Sequence, residues 1–149
     1  ETIILHPTGQ PMRMSNTKDG YAIQLAAKQG IVMGIITGGD AEAVSVRFGA
    51  LGIQHIYLRS YNKIEKFNDF IQKTGLKPEE ICYVGDDIPD FPVMELVGLA
   101  ACPKDAVPEI KAIAGYISHK EGGHGVARDI IEQVLKTQGK WMQDNAFEW

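Results

Sequence analysis

The stretch YVGDDIPD, residues 83–90, ends a short apolar run with a glycine and places the three carboxylates of Asp86, Asp87 and Asp90 within five positions. A brief apolar run that opens at once into glycine and acidic residues is typical of a buried parallel strand followed by a polar loop. The stretch therefore favours an α/β fold. It also raises the question of which positive charge these carboxylates face.

The composition is that of an ordinary globular protein. The 149 residues, of which 44% are hydrophobic and 23% charged, predict one domain over residues 1–149. A net charge of −4 argues against nucleic acid as the main partner. Because Cys82 and Cys102 lie in apolar runs, we expect a reduced, cytoplasmic protein without disulfides or a zinc site. No apolar run approaches the ~20 residues of a membrane span.

Strand and helix patterns alternate along the chain after an N-terminal hairpin within residues 1–16, whose extended pieces are 2–5 and 12–15. Helices are predicted at 19–29, 41–50, 62–74, 90–97, 106–113 and 125–137, and strands at 31–36, 55–58, 81–84, 98–101 and 116–118. This order predicts a doubly wound, mostly parallel sheet with helices on both faces. The run 31–36 is almost continuously apolar, so we expect that strand to be covered on both faces.

Polar loops follow the predicted strands at residues 37–40, 59–63, 85–90 and 103–105. Ligands of parallel sheets bind where such loops leave the carboxyl ends of the strands, so we expect all four loops on one edge. The tail, residues 140–149, contains two tryptophans and a phenylalanine but has no evident packing partner.

The acidic loop has two interpretations. Three hard oxygen donors suit Mg²⁺, which takes one or two carboxylates and completes its coordination with water and substrate phosphate. The alternative is a solvated turn in which Asp87 or Asp90 caps a short helix that has Pro89 in its first turn. Taken alone, the loop favours neither.

Two further loops offer groups that bind phosphate. Thr37, Gly38 and Gly39 supply a hydroxyl and accessible backbone N–H groups, although such a turn more often only starts a helix capped by Asp40. Lys63 follows the next strand, where most lysines are simply solvated. The conjunction of a hydroxyl, a lysine and paired acids after successive strands favours phosphoryl-transfer chemistry.

The glycine-rich segment 122–125 does not support a dinucleotide site. The pattern G-x-G-x-x-G is incomplete because Arg128 stands at its last glycine, so a loop before the final helix is the simpler interpretation. A contact between Arg128 and an anionic substrate is the functional alternative. His6, His55 and His119 are isolated and are expected to be ordinary surface or core residues.

The chain resembles the haloacid dehalogenase superfamily, specifically its small capless 3-deoxy-D-manno-octulosonate 8-phosphate phosphatases. The matching segments cover nearly the whole chain and are specific as a set. They are NTKDGYAIQLAAKQGI (16–31), IITGG (35–39), LGIQHIY (51–57), YVGDDIPDFPVM (83–94), GLAACPKDAVPEIKAIAGYIS (98–118), GGHGVARD (122–129) and QGKW (138–141).

The resemblance implies a role for several residues. Thr37 would hydrogen-bond the transferring phosphoryl group, and Lys63 would steady phosphate and nucleophile. Asp86 would bind Mg²⁺, with Asp87 and Asp90 supporting the metal or its waters. Further candidates for substrate contacts are Gly38, Gly39, Arg47, Lys104, His124 and Arg128. The resemblance also implies a homotetramer in which neighbouring subunits complete the site and the hairpin packs between them as a flap.

The sequence departs from the family at the nucleophile. The family's Asp-x-Asp-Gly motif lies on the first core strand, upstream of the hairpin, and residues 1–149 contain no equivalent. Asp19 cannot replace it because it opens a helix. We favour a longer protein over an inactive relative, and we expect a polypeptide that truly begins at Glu1, and so lacks the central strand, to be largely aggregated. At Gly39 many relatives carry a larger polar residue, which leaves the substrate less certain.

Three functions are therefore weighed. The first is a Mg²⁺-dependent phosphatase acting on the octulosonate phosphate through an aspartyl-phosphate, with a keto-deoxynononate 9-phosphate phosphatase as its near alternative. The second is a receiver-like phosphate-binding module, which the late position of the acidic loop disfavours. The third is a non-catalytic scaffold, for which the absent nucleophile is the only argument.

Overall fold

The structure, a computed structural model, describes residues 4–9 and 11–148. It contains the predicted helices and strands in the predicted order, with ends that shift by up to three residues. The strands are β1 (Ile4–Leu5), β2 (Pro11–Met12), β3 (Gly34–Ile36), β4 (His55–Tyr57), β5 (Cys82–Val84), β6 (Leu99–Cys102) and β7 (Tyr116–Ile117). The helices are α1 (Thr17–Lys28), α2 (Glu42–Ala50), α3 (Lys63–Thr74), α4 (Phe91–Met94), α5 (Pro108–Ile113) and α6 (Val126–Thr137). The hairpin positions 2, 3 and 10 lie outside the described residues.

The strands form one antiparallel hairpin and two parallel sheets. β1 pairs with β2, β3 pairs in parallel with β4, and β5, β6 and β7 form a parallel sheet in that order. The parallel α/β prediction is confirmed. Within residues 4–9 and 11–148, β3 pairs only with β4 and the outer edge of β5 pairs with no strand. The central strand that the resemblance implies between the two sheets therefore stays a prediction.

The strand predicted at 31–36 is shorter than expected and is not covered on both faces. Only Gly34–Ile36 pair with β4, and none of these three residues is fully buried. Ile31 and Met33 instead pack against two hydrophobic clusters, one around Leu135 and one around Leu51. Their apolar character therefore serves packing between helices before the strand begins.

Two helices, α1 and α6, lie side by side and form the layer that supports the tail. In α6 an apolar stripe, formed by Val126, Ile130 and Leu135, is buried. Asn16 caps α1 by accepting from the N–H groups of its first turn. Asp19 accepts from the backbone N–H of Arg128 at 2.7 Å, which ties the start of α1 to the start of α6.

The tail has a packing partner after all. Ala146 is buried together with Leu135, and Trp141 packs against the same cluster. The Tyr21 hydroxyl donates to the carbonyl of Ala146, and the Gln29 side chain lies 2.6 Å from that of Asn145. The aromatic tail therefore covers one end of the α1 and α6 layer.

No helix in the described part of the chain is both long enough and apolar enough to cross a membrane. Cys82 and Cys102 form no disulfide, as the sequence predicts, and burial raises the pKa of both thiols. These two thiols are therefore protonated and unreactive at neutral pH.

Candidate active site

The loops after β3 and β4 are joined by backbone hydrogen bonds. The N–H of Ser60 donates to the carbonyl of Thr37 at 2.9 Å, and the N–H of Arg59 donates to the carbonyl of Gly39 at 3.0 Å. Ser60 is buried, and its hydroxyl donates to the carbonyl of Tyr57 at 3.2 Å. These contacts hold the two loops together at the carboxyl ends of their strands.

The Thr37 side chain is oriented by its own loop. Its Oγ1 accepts from the backbone N–H of Gly39 at 3.1 Å. A hydroxyl has one proton and two acceptor positions. Because Gly39 occupies an acceptor position, the hydroxyl proton is available to an oxygen of a bound phosphate.

Lys63 is the first residue of α3, and its side chain reaches across to the loop after β5. Its Nζ lies 2.6 Å from Asp90 Oδ1. Asp90 is only 2% exposed, and it also accepts from the Tyr83 hydroxyl at 2.7 Å and from the N–H of Asp86 at 3.3 Å. Asp90 thereby links the lysine of one sheet to the acidic loop of the other.

Gly85 makes room for this arrangement. A Cβ at Gly85 would lie 2.8 Å from both Asp90 Cγ and Met94 Sδ, which is closer than Cβ atoms approach such neighbours. The glycine between β5 and the carboxylates is therefore required by the packing of Asp90.

The surroundings of Tyr83 keep its hydroxyl neutral. Burial raises the pKa of Tyr83 well above its usual range, and the charge of Asp90, its hydrogen bond and the charge of Asp86 raise this pKa further. A phenol that stays protonated is a permanent donor to Asp90. Tyr83 therefore helps Lys63 hold the Asp90 carboxylate in place.

The three acidic residues of the loop have different surroundings. Asp86 is partly buried, and its carbonyl accepts from the N–H of Val107 at 3.1 Å. Asp87 is exposed, and its Oδ1 accepts from the N–H of Ile88 at 2.7 Å, so it caps the short helical turn there. Both oxygens of Asp90 already have partners.

These oxygen donors suit Mg²⁺ better than a metal ion that is bound entirely by protein side chains. In residues 4–9 and 11–148, no three His, Cys, Asp or Glu side chains gather as a metal cage would require. Mg²⁺ characteristically takes one or two carboxylates and keeps several waters. Asp86 and the adjacent Asp87 have carboxylate oxygens that could hold such an ion, whereas both oxygens of Asp90 already have protein partners.

Three further residues predicted to contact substrate make contacts within the chain, and their roles stay predictions. Lys104 is exposed, and its N–H donates to the carbonyl of Lys120. The Arg47 guanidinium packs over Gly20 of α1. His124 contacts the carbonyl of Gly122 through Nδ1 at 2.8 Å. Gly38 and Gly39 do lie on the Thr37 loop, as predicted.

The Arg128 side chain packs against aromatic rings of α1 and the tail. Its guanidinium lies over the rings of Tyr21, at 5.3 Å from the ring centroid, and Trp141, at 5.1 Å. It also pairs with Glu132 at 3.5 Å. Together with Lys18, Lys120 and His124 it lines a cavity of about 470 Å³ between the starts of α1 and α6. None of the residues lining this cavity comes from the loops of Thr37, Lys63 or Asp86.

Two positioning residues were not predicted. Ser60 lies in a polar loop, where burial is unexpected, and Tyr83 lies in an apolar strand run with no local sign of a polar partner. Their roles depend on contacts across the site. For Tyr83 the one usable signal was the placement of a hydroxyl-bearing aromatic residue directly before the acidic loop.

Known proteins that are similar to this chain include one family of phosphatases. The family described as haloacid dehalogenase-like hydrolase matches residues 36–130. The 3-deoxy-D-manno-octulosonate 8-phosphate phosphatase of Salmonella typhi is 40% identical over 138 residues, which are 93% of this chain and 73% of that protein. The Yersinia pestis phosphatase structure of the same name has a TM-score of 0.90 at 32% identity and covers 93% of this chain and 75% of its own. The Moraxella catarrhalis phosphatase, in complex with a magnesium ion, a phosphate ion and a KDO molecule, has a TM-score of 0.90 at 29% identity, over 98% of this chain and 82% of its own.

Proposed function

Because this chain belongs to the haloacid dehalogenase-like hydrolase family, we propose that it is a Mg²⁺-dependent phosphatase that converts 3-deoxy-D-manno-octulosonate 8-phosphate and water into the free sugar acid and inorganic phosphate. The observation that carries the proposal is the continuous set of contacts from Thr37 through Ser60 to the loop of Lys63, and from Lys63 through Asp90 to Asp86. These contacts bring a hydroxyl, an ammonium and a carboxylate loop to one edge.

Each of these residues has a task in phosphoryl transfer. The Thr37 hydroxyl donates a hydrogen bond to a phosphoryl oxygen. Lys63, held by Asp90, places a positive charge beside the same group. Asp86 and Asp87 would hold Mg²⁺, which neutralises negative charge on the phosphoryl oxygens when bound. The aspartate that would form the aspartyl-phosphate belongs to an Asp-x-Asp-Gly motif, which residues 1–149 do not contain.

The test is phosphate release by the complete gene product that contains this chain. We expect Mg²⁺-dependent turnover of the octulosonate phosphate, abolished by EDTA and restored by added Mg²⁺. Asp86→Ala should lower kcat/KM by about 100-fold or more, as removal of a major electrostatic group usually does. Glu109→Ala, which removes the same charge from the exposed first turn of α5, is the matched control. Turnover of Asp86→Ala at the wild-type rate would remove Asp86 from the site.

The substrate alternatives are distinguished in the same assay. A higher kcat/KM for keto-deoxynononate 9-phosphate would assign the nine-carbon substrate. Stoichiometric labelling by acetyl phosphate that lasts for hours, without multiple turnover, would instead indicate a receiver-like module.

The proposal extends to assembly and location. We propose a cytoplasmic homotetramer in which the hairpin packs between subunits and neighbouring subunits complete the site. Support comes from the exposed apolar side chains of the hairpin region, among which Leu5 is 77% and Met14 is 80% exposed. The two free cysteines agree with a reducing compartment. Light scattering on wild type and on Leu5→Lys tests the assembly. A charge on a hairpin that packs between subunits should shift the tetramer towards smaller species.

A further inference from the structure

The side chain of Arg13, just beyond β2, reaches the loop that carries Thr37. A Cβ at Gly39 would lie 2.9 Å from Arg13 Nη2, 3.3 Å from Arg13 Cζ and 3.4 Å from Thr37 Oγ1. The guanidinium and the threonine hydroxyl therefore both lie against Gly39. No sequence motif predicts a functional role for Arg13.

The charge of Arg13 is not neutralised within the described part of the chain. No carboxylate of residues 4–9 or 11–148 pairs with it, and its side chain is exposed. Arg59, the other arginine at this loop, is held by Asp40 at 2.5 Å. A guanidinium offers five donors and no acceptor, and it matches phosphate oxygens in a bidentate geometry. Arg13 is thus an exposed cation near the Thr37 hydroxyl that pairs with no carboxylate of residues 4–9 or 11–148.

Gly39 is a glycine for reasons of space rather than backbone conformation. Its φ is not in the left-handed region, which glycines at positions such as 30, 52 and 75 do occupy. A Cβ at position 39 would displace the Arg13 guanidinium, which is the end of a long, exposed side chain. The glycine therefore lets the guanidinium lie close to the Thr37 loop.

We propose that Arg13, whose guanidinium lies over Gly39, is a substrate-binding residue that binds the phosphoryl oxygens of the ester beside the Thr37 hydroxyl. This inference rests on the proposed phosphatase function. Arg13 follows β2 of the hairpin, whereas the other residues of the proposed site lie in the loops after β3, β4 and β5. Because Arg13 contacts the ester in the ground state as well as in the transition state, it acts on KM more than on kcat.

The experiment measures steady-state hydrolysis by the complete gene product with Arg13→Ala, Arg13→Lys and Gly39→Ala. Arg13→Ala should raise KM by about 10- to 100-fold, as expected for loss of one charge-assisted hydrogen bond, and leave kcat within about threefold. Arg13→Lys should recover part of this loss because it keeps the charge but not the fork of donors. Gly39→Ala should raise KM in the same direction, because its methyl group displaces the guanidinium.

Lys136→Ala is the matched control. It removes one positive charge from the far end of α6, where Lys136 pairs with Glu132, and should leave KM unchanged. Thermal melts by circular dichroism check that Arg13→Ala is folded, which we expect because the side chain is exposed.

The outcomes separate this inference from the proposed function. If wild type turns over normally and Arg13→Ala changes KM by less than twofold, the role of Arg13 is overturned. The phosphatase proposal then still stands. Wild type without turnover overturns both. The same KM increase with phenyl phosphate, which has no carboxylate, supports the phosphoryl contact. An increase seen only with the sugar acid would overturn it in favour of a carboxylate contact.

Discussion

Lys63 Nζ lies 2.6 Å from Asp90 Oδ1, and this ion pair joins the loop after β4 to the loop after β5. Asp90 is almost completely buried, whereas the Lys63 side chain keeps 17% of its surface exposed. The Lys63 side chain therefore remains partly accessible to solvent while its ammonium is held by Asp90. A buried carboxylate therefore holds the ammonium of Lys63 in one position.

Asp90→Asn should damage both stability and activity. Removal of one partner leaves the other charge uncompensated in a largely buried position, which costs about 3 kcal/mol in free energy of unfolding. We expect a lower midpoint in urea and a lower kcat, because Lys63 loses its fixed position. Asp69→Asn changes a more exposed carboxylate, which pairs with Lys73 and interacts with the Tyr57 hydroxyl, and should lower the midpoint far less than Asp90→Asn does. Equal urea midpoints for Asp90→Asn and wild type would contradict this prediction.

Gly85→Ala should destabilise the acidic loop. Its methyl group would lie 2.8 Å from Asp90 Cγ and Met94 Sδ, and overpacking of this kind costs about 1–3 kcal/mol. The comparison is Gly49→Ala in α2, where a Cβ meets no atom within 4 Å. That change should stabilise the protein by about 0.5–1 kcal/mol through helix propensity. Chemical denaturation of both variants measures the contrast, and changes of the same sign would refute it.

Asp129 should make stability depend on pH in acid. Burial by itself raises the pKa of this carboxyl, but hydrogen bonds from Ser118 and Tyr116, together with the charge of His119, lower it overall. A folded-state pKa below the unfolded value of about 3.9 gives stability that is present above pH 4 and is lost as the pH falls through the folded pKa. Asp129→Asn should therefore cost about 1–3 kcal/mol at pH 7 and progressively less as the pH falls below 4 and through the folded-state pKa.

Urea unfolding of wild type and Asp129→Asn across this pH range is the measurement. Asp105→Asn is the control, since Asp105 accepts one backbone hydrogen bond on an exposed loop and should show a smaller effect at every pH. A stability difference between wild type and Asp129→Asn that does not shrink in acid would show that the Asp129 charge is not the cause.

Arg128→Ala should loosen the C-terminal tail. The guanidinium stacks on Tyr21 and Trp141, and two such contacts contribute about 1–2 kcal/mol. We expect a lower melting temperature and a red shift of tryptophan emission as Trp141 becomes wetter. Arg128→Lys should lie between wild type and Arg128→Ala, because a lysine keeps the charge but stacks less well. Unchanged melting together with a raised KM would restore Arg128 to the substrate contacts that the sequence predicted.

The sequence by itself determined the order and type of the elements. Apolar runs of strand length, the α6 stripe from Val126 to Leu135 and the glycine and proline signals at element ends are local, and local patterns specify local structure. The same patterns predicted that Thr37, Lys63 and Asp86 follow successive parallel strands. Parallel strands bring their carboxyl ends to one edge whatever the details of packing, so the grouping could be foreseen.

Only the tertiary structure decided what each side chain contacts. Whether Asp90 faces a metal or Lys63, and whether Arg128 meets a substrate or the ring of Trp141, depends on how helices distant in sequence are placed relative to one another. Nothing in the spacing of residues along one element encodes that placement. The approach of Arg13 to Gly39 has the same cause, because the two lie 26 positions apart in the printed sequence and meet only once the hairpin base has folded over the β3 loop.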